Sequence, residues 1–140
     1  MSPPKTPARP AGWPQDWPRI SSEIWDAKYR LKSADGAPAE ASIAETWKRV
    51  AEEAAAAEKS ADRAHWTNEF TSITAGFAFL PAGRILAGIG SGRNVTLFNC
   101  FVMGEIADDL SDIFENVQEA ALTMQSGGGI GHDFSTLRPK

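Results

Sequence analysis

Residues 126–133 read Ser-Gly-Gly-Gly-Ile-Gly-His-Asp, so four glycines fall within five positions. Glycine lets the backbone adopt dihedrals that are closed to other residues, and it lets a ligand approach the main chain closely. An apolar segment that contains the only cysteine, Cys100, lies upstream, and an amphipathic helix pattern separates it from the glycines. A strand, a helix, a glycine turn and a second strand predict a β-α-β unit, and we expect this unit to carry the chemistry.

The helix of this unit is predicted to run from about Asp109 to Gln125, with Asp108 or Asp109 as its N-terminal cap and the glycines just beyond its C-terminus. Its apolar stripe consists of Leu110, Ile113, Phe114, Val117, Ala120, Ala121 and Met124. Residues 95–103 form a nearly continuous β-branched and aromatic run, which predicts a buried strand. A β-α-β crossover needs further strands to close a sheet or barrel, so we interpret the chain as the front part of a larger protein.

Three helices are predicted upstream of this unit. The first begins at Ser21, and the second begins at a capping box formed by Ser42 and Glu45 and runs to about Lys59. The third covers about residues 60–76. The faces expected to enter the core are Trp47, Val50, Ala54 and Ala57 in the second helix, and Trp66, Phe70, Ile73 and Phe77 in the third.

Composition and motifs argue against several classes of protein. A net charge of −4 does not suit a surface for nucleic acid or anionic membrane. No apolar run approaches the length of about 18 residues that a membrane span needs, and no apolar stretch follows the basic N-terminus as in a secretory signal, so a cytoplasmic protein is predicted. One cysteine permits neither an internal disulfide nor a cysteine-based zinc site. Residues 81–95 hold four glycines but lack the Gly-Lys-Ser/Thr of a nucleoside triphosphate loop.

The N-terminal 20 residues contain six of the nine prolines, which predicts a disordered or polyproline-like tail. Trp13 and Trp17 lie within it, each followed by proline. These two side chains either dock on a folded body or remain exposed, and the sequence leaves both alternatives open.

Five segments taken together give a specific resemblance. The sequence resembles the N-terminal region of an adenosylcobalamin-dependent, class II, ribonucleotide reductase, and the matching segments cover most of the chain from Ser21 onward in the family's order. They are Ile-Trp-Asp-Ala-Lys-Tyr-Arg at 24–30, Leu-Pro-Ala-Gly-Arg-Ile-Leu-Ala-Gly at 80–88, Thr-Leu-Phe-Asn-Cys at 96–100, Ser-Gly-Gly-Gly-Ile-Gly at 126–131 and Ser-Thr-Leu-Arg-Pro at 135–139.

The resemblance implies a mixed α and β fold: a helical N-terminal region, then the first β-α-β elements of a ten-stranded α/β barrel, truncated within this chain. We therefore expect a Pro-rich tail over residues 1–20, a helical domain over 21–80 and the start of the barrel over 81–140. The strand with Cys100 is the first barrel strand under this interpretation, and the segment after Gly131 is the second.

The resemblance also implies a ribonucleoside-diphosphate reductase, which makes 2′-deoxyribonucleotides for DNA synthesis. In this family a thiyl radical abstracts hydrogen from the ribose 3′ carbon, and a pair of thiols supplies the electrons that replace the 2′ hydroxyl. Cys100 matches the N-terminal thiol of that pair, which a thioredoxin-like partner re-reduces. Asn99, Cys100 and Gly129 match positions that meet the ribonucleotide substrate.

Other family positions match less fully. Asp108 and Arg138, and less closely Gln125, match positions that bind a deoxynucleotide effector near a homodimer interface. The radical cysteine, the second reducing cysteine, the active-site glutamate and most of the adenosylcobalamin-binding surface have no match in this chain. We therefore expect the 140 residues alone to be inactive.

Three interpretations follow from the sequence. The first is the front part of such a reductase; the second is a non-catalytic nucleotide-binding or partner-binding module derived from one; the third is an unrelated nucleotide-binding α/β protein. The first predicts an exposed apolar face on the 110–124 helix in the isolated chain. Without the surrounding motifs, Cys100 would read as a small buried apolar residue and Arg138 as a surface arginine before proline.

Overall fold

The computed structural model describes Trp13 and residues 16–139, and it divides into two compact units, one up to Ser91 and one from Gly92 onward. The elements in chain order are α1 (Arg19–Lys28), α2 (Ile43–Ala55), α3 (Arg63–Ala75), α4 (Gly83–Gly88), β1 (Cys100–Val102), α5 (Leu110–Gln125) and β2 (Gly129–Gly131). The expected order of a helical region followed by a β-α-β unit is confirmed. The division between the units lies beyond the expected boundary at residue 80, because α4 packs with α2.

An aromatic core holds the first unit together. Trp13, Trp25 and Trp47 are each at most 5% exposed, and the ring of Phe77 meets the ring of Trp47 edge to face at 5.2 Å. Trp17 packs against the same core, with its ring centroid 3.9 Å from that of Phe77. Of the two alternatives for Trp13 and Trp17, docking is therefore correct. The rest of the predicted tail, residues 1–12, 14 and 15, lies outside the described residues.

A buried carboxylate connects this core to the chain around it. Glu40 is 5% exposed, and its side chain accepts hydrogen bonds from Arg49 Nε at 2.7 Å, Thr46 Oγ1 at 2.6 Å and the Leu31 N–H at 2.8 Å. Burial on its own raises the pKa of Glu40, but these hydrogen bonds and the Arg49 charge outweigh it, so the pKa lies below its ordinary value. Thr46 Oγ1 also accepts a hydrogen bond from the indole N–H of Trp25 at 2.9 Å.

Arg49 extends this network to α4. Its guanidinium donates to the carbonyl oxygen of Ile89 and, at 3.1 Å, to that of Leu86. These carbonyls lie at the end of α4, where a helix leaves acceptors unsatisfied. The Glu40–Arg49 pair therefore joins α2, α4 and the segment before α2. No pattern in the sequence predicted this buried ion pair.

The predicted helices of the first unit are present, with corrections to their ends and faces. The second helix ends at Ala55 rather than near Lys59, and Ala54 and Ala57 are exposed whereas Ala51 and Ala55 are buried. The capping box is wrong in detail: the side chain of Ser42 makes no cap hydrogen bond, and the Glu45 carboxylate accepts from the Ala41 N–H at 2.7 Å. The first helix begins at Arg19.

The third helix shows that an aromatic stripe is not always core. Trp66 is 37% and Ile73 39% exposed, and Thr74 is the residue that is buried. The ring of Trp66 stacks on that of Phe70 with centroids 5.6 Å apart, so the two aromatic side chains shield each other. Phe77 lies beyond the helix in the left-handed region at φ 54°, and this turn carries its ring into the core. Helix α4 was not predicted, because its segment is rich in glycine. It buries Leu86 in the same core.

The second unit contains the predicted β-α-β arrangement, but its second strand is Gly129–Gly131 rather than the segment after Gly131. Strands β1 and β2 pair in parallel, and α5 connects them. The first strand covers only Cys100–Val102 rather than residues 95–103, and Phe98 and Val102 are 72% and 95% exposed. The expected burial of this strand is therefore wrong for the described residues, because two strands and one helix cannot cover both faces of a sheet.

Helix α5 follows the sequence prediction closely. Asp109 is its N-cap, and the Asp109 side chain accepts a hydrogen bond from the Asp112 N–H at 3.1 Å. Its apolar stripe is largely exposed, since Leu110 and Phe114 are 71% and 64% exposed, and Asn116 and Ala120 are its buried residues. An exposed apolar face on this helix agrees with the expectation for the front part of a barrel. Across residues 16–139 and Trp13, no helix is long and apolar enough to cross a membrane.

Candidate functional site

The glycine run begins as the C-terminal cap of α5. Gly127 adopts φ 88°, its N–H donates to the carbonyl oxygen of Met124 at 2.9 Å, and the Gly128 N–H donates to that of Thr123 at 3.0 Å. These two hydrogen bonds form a Schellman motif, which ends a helix and needs a left-handed residue. The turn therefore fixes where β2 starts relative to the end of α5.

The site residues meet where β2 pairs with β1. Cys100 lies opposite Gly129, and the Gly129 N–H donates to the carbonyl oxygen of Asn99 at 2.8 Å. A Cβ atom built on Gly129 would lie 3.2 Å from that oxygen and 3.6 Å from Cys100 Sγ. The absent side chain of Gly129 thus leaves open space beside the sulfur. The structure brings Asn99, Cys100 and Gly129 together.

The two faces of this small sheet have different surroundings. A Cβ atom on Gly128 would lie 2.6 and 2.8 Å from two ring carbons of Phe101 and 3.0 Å from Cγ2 of Thr123, so Phe101 lies on the side of α5. Side chains alternate along a strand, so Cys100 and Val102 face away from α5. Their exposure agrees with this: Cys100 is an exposed, free thiol, and Val102 is almost fully exposed.

On the face that points away from α5, the Cys100 thiol lies beside the main chain of Gly129, which carries no side chain. A thiol can donate hydrogen or electrons and can form a disulfide with a second thiol. The glycine beside it allows a ligand to approach the main chain and the sulfur together. In the part of the chain that the structure describes, no group of three or more His, Cys, Asp or Glu side chains could hold a metal ion. The face therefore suits thiol chemistry on a ligand that lies against the strand.

A second group of predicted residues lies at the other end of the unit. Arg138 Nε lies 3.3 Å from Asp108 Oδ2, and the Arg138 side chain is 81% exposed. Thr136 Oγ1 donates to the carbonyl oxygen of Ile106 at 2.6 Å, which holds the two segments of this ion pair together. Gln125 is the last residue of α5, about 22 Å along the helix from its first residue. One chain thus brings Asp108 and Arg138 together but does not bring Gln125 to them.

A turn after β2 leads the chain towards Arg138. The Asp133 carboxylate accepts a hydrogen bond from the Ser135 N–H at 2.9 Å, and hydrogen bonding to Ser135 lowers the pKa of Asp133. His132 stacks on Phe134 with ring centroids 5.5 Å apart. The sequence did not identify these contacts, which are local to the turn, nor the contact between Gly128 and Phe101, which depends on the register of β2.

Comparison with known proteins places both units in one family. The model of the ribonucleotide reductase all-alpha domain matches residues 19–94, and that of the ribonucleotide reductase barrel domain matches residues 98–140. Both matched regions contain segments on which the resemblance was based.

Curated relatives agree with the family models. The chain is 37% identical over 82 residues to the vitamin B12-dependent ribonucleoside-diphosphate reductase of Thermoplasma acidophilum. This alignment covers 59% of the present chain and 10% of that protein. It is 36% identical over 115 residues to the protein of the same name from Mycobacterium tuberculosis (strain CDC 1551 / Oshkosh). This alignment covers 80% of the present chain and 16% of that protein. It is 30% identical over 92 residues to the ribonucleoside-diphosphate reductase subunit alpha of Chlamydia muridarum. This alignment covers 66% of the present chain and 8% of that protein.

The chain thus spans between 8% and 16% of the length of these relatives. The all-alpha match by itself covers more than half of the chain, and the barrel match covers β1, α5 and β2. The chain belongs to the ribonucleotide reductase family.

Proposed function

We propose that this chain is the N-terminal part of a vitamin B12-dependent ribonucleoside-diphosphate reductase, in which Cys100 is one of the two thiols that reduce the substrate. The observation that carries this proposal is the exposed Cys100 thiol opposite Gly129, with space for a ligand beside the sulfur. Family membership supplies the reaction class, and the names of the relatives from Thermoplasma acidophilum and Mycobacterium tuberculosis supply the cofactor class. We further propose a cytoplasmic location, as the sequence predicts.

In the proposed reaction, two thiols lose two electrons and two protons as they form a disulfide. The 2′ hydroxyl leaves as water, and hydrogen takes its place on the 2′ carbon, while the 3′ hydrogen is removed at the start and returned at the end. Cys100 is the only cysteine of the chain, so the second thiol must come from outside these 140 residues. A thioredoxin-like dithiol then reduces the disulfide by exchange.

Adenosylcobalamin supplies the radical for this class of chemistry when it is bound. Under the family resemblance, most of the surface that binds this cofactor has no match in this chain. We therefore assign no residue of this chain to the cofactor and derive no step through it. Asn99 and Cys100 remain the residues whose backbone we expect to meet the ribose, and Gly129 the glycine that we expect to lie against the bound nucleotide.

The Asp108–Arg138 pair is the proposed site for the deoxynucleotide effector. An arginine suits a phosphate group and a carboxylate suits a sugar hydroxyl, and the two side chains lie together at the surface. Gln125 lies at the far end of α5, so its participation requires a second copy of the chain in a homodimer. A direct test is effector affinity in Arg138→Gln, which we expect to fall at least tenfold.

The central test is Cys100→Ser in the native polypeptide that contains this chain. We expect thioredoxin-coupled turnover to be lost while the affinity for the ribonucleoside diphosphate remains within about twofold, because the hydroxyl is nearly isosteric but cannot form a disulfide. Ser72→Ala, on the exposed side of α3, is the matched control. Multiple turnovers by Cys100→Ser would refute the redox role. The alternative of a non-catalytic module is not favoured, because both family models match in the order of the reductase.

A further inference from the structure

We propose that Gly128 and Phe101 together position the Cys100 thiol: the ring of Phe101 occupies the space that the absent side chain of Gly128 leaves, and this contact fixes β1 against the end of α5. The inference rests on the proposed function, since it assigns Gly128 and Phe101 a role in the reaction of Cys100. Neither residue is proposed to touch the substrate, because both lie on the side of α5 and Cys100 faces the other way.

The contact leaves no room for a larger residue at position 128. A Cβ atom there would lie 2.6 and 2.8 Å from two carbons of the Phe101 ring. Gly128 cannot move away easily, because its N–H donates to the Thr123 carbonyl oxygen at 3.0 Å, and Thr123 Cγ2 would lie 3.0 Å from the same Cβ atom. Gly128 is buried, and its φ is not among the positive values of the chain. The requirement for glycine at this position is therefore steric and not conformational.

The contact is next to the thiol along the strand. Phe101 follows Cys100 directly, and the parallel ladder continues on both sides, from the Gly129 N–H to the Asn99 carbonyl oxygen at 2.8 Å and from the Met103 N–H to the Gly131 carbonyl oxygen at 3.0 Å. Carbon contacts below 3.0 Å force a movement, so an alanine at position 128 requires a relative shift between the ring and the turn of about 0.4 Å (3.0 − 2.6) at least, and of about 0.8 Å (3.4 − 2.6) for an ordinary contact. The part of this shift that rotation of the Phe101 ring does not absorb moves β1, and with it Cys100, relative to Gly129.

A displacement of this size matters for the reaction that we propose. Misplacement of a reacting group by about 1 Å can lower the rate on the order of 100-fold. We expect Gly128→Ala to lower kcat on the order of 10- to 100-fold and to leave KM within about threefold. A purely destabilising change would instead lower the amount of active protein, and the kcat per folded molecule would stay the same.

The matched control is Gly104→Ala. Gly104 follows β1, has no positive φ, and has no atom within 4 Å of a built Cβ atom. The rescue variant combines Gly128→Ala with Phe101→Leu, which exchanges the ring for a smaller side chain. We expect Gly104→Ala to keep the wild-type kcat and the double variant to recover at least part of the loss.

A second measurement separates this inference from the proposed function. The rate of alkylation of Cys100 by iodoacetamide is measured on the native protein, by mass spectrometry of the peptide that contains Cys100. We expect Gly128→Ala to change this rate at least threefold, Gly104→Ala to leave it unchanged, and the Phe101→Leu second change to return it towards the wild-type rate. Altered alkylation with unchanged turnover supports the positioning of the thiol and refutes its effect on kcat, whereas the redox role of Cys100 stands or falls with Cys100→Ser.

Overlap between the alkylation rates of Gly128→Ala and Gly104→Ala would overturn the positioning role, whatever the activity. If Gly128→Ala does not fold, as judged by far-UV circular dichroism, Phe101→Leu alone provides the test. This change removes the ring without a clash, and we expect it to alter the alkylation rate of Cys100 at least twofold. An unchanged rate in Phe101→Leu would then overturn the proposal.

Discussion

Replacement of Glu40 by alanine removes an acceptor at the centre of the first unit. The carboxylate is 5% exposed and accepts hydrogen bonds from Arg49, Thr46 and the Leu31 N–H, at 2.7, 2.6 and 2.8 Å. After Glu40→Ala, the guanidinium of Arg49, whose side chain is 10% exposed, has no countercharge beside it. We therefore expect a large loss of stability in the first unit.

The magnitude follows from the burial of the pair. Removal of one partner of a buried ion pair costs about 3–5 kcal/mol, because the remaining charge stays buried without compensation. Arg49 keeps its hydrogen bonds to the carbonyl oxygens of Leu86 and Ile89, which places the expected cost at about 3–4 kcal/mol. Since a whole domain is stable by only about 5–15 kcal/mol, this is a large fraction of the total.

Urea unfolding followed by tryptophan fluorescence measures this cost. All five tryptophans of the chain lie in the first unit, so the signal reports on that unit. Glu52→Ala is the matched control, because Glu52 makes an exposed pair with Lys48 at 3.8 Å, which we expect to contribute less than about 0.5 kcal/mol. If Glu40→Ala and Glu52→Ala destabilise the protein equally, the buried pair does not hold the unit together and our reasoning is wrong.

Three further predictions concern pH, glycine and capping. Burial raises the pKa of Glu40, but the hydrogen bonds and the Arg49 charge lower it by more, so the pKa lies below its ordinary value. The contribution of Glu40 to stability is therefore complete above the ordinary carboxyl pKa and is lost as pH falls through the lowered pKa. Glu40→Gln should remove this pH dependence when the free energy of unfolding is measured across acidic pH. Gly90→Ala should destabilise more than Gly36→Ala in thermal unfolding, because both have positive φ but only a Cβ atom on Gly90 meets side chains of α2, at 2.7 and 2.9 Å. Equal costs would show that this clash relaxes freely. Asp109→Ala should cost about 1 kcal/mol at the start of α5, measured as faster hydrogen exchange of the Asp112 amide, whereas Asp109→Ser should retain most of the protection.

The sequence predicted those elements whose signals are local. Helix α5 is an example, since its cap at Asp109, its apolar spacing and the glycine that ends it at Gly127 all lie within a few residues of the helix. The family resemblance assigned Cys100 and Gly129 to the substrate site, but their pairing across the two strands was not predicted, because the register of a parallel pair depends on how the intervening helix packs.

Features that depend on distant contacts were missed. The apolar run at 95–103 predicted a buried strand. Burial of both its faces needs further strands and helices, and the described part of the second unit has two strands and one helix. Glu40 is a charged residue in a loop, and its burial becomes favourable only because Arg49 and Thr46 come from the next helix. The fit of Phe101 over Gly128 likewise requires the turn and both strands to be in place.

The most direct test of the central claim is the state of Cys100 after one turnover. The native protein, with its cofactor and without an external reductant, is allowed to reduce one equivalent of ribonucleoside diphosphate, and free thiols are then alkylated before mass spectrometry. We predict that Cys100 is found in a disulfide with a cysteine outside these 140 residues, in proportion to the deoxynucleotide formed. Deoxynucleotide formation with Cys100 recovered as the alkylated free thiol would contradict the account.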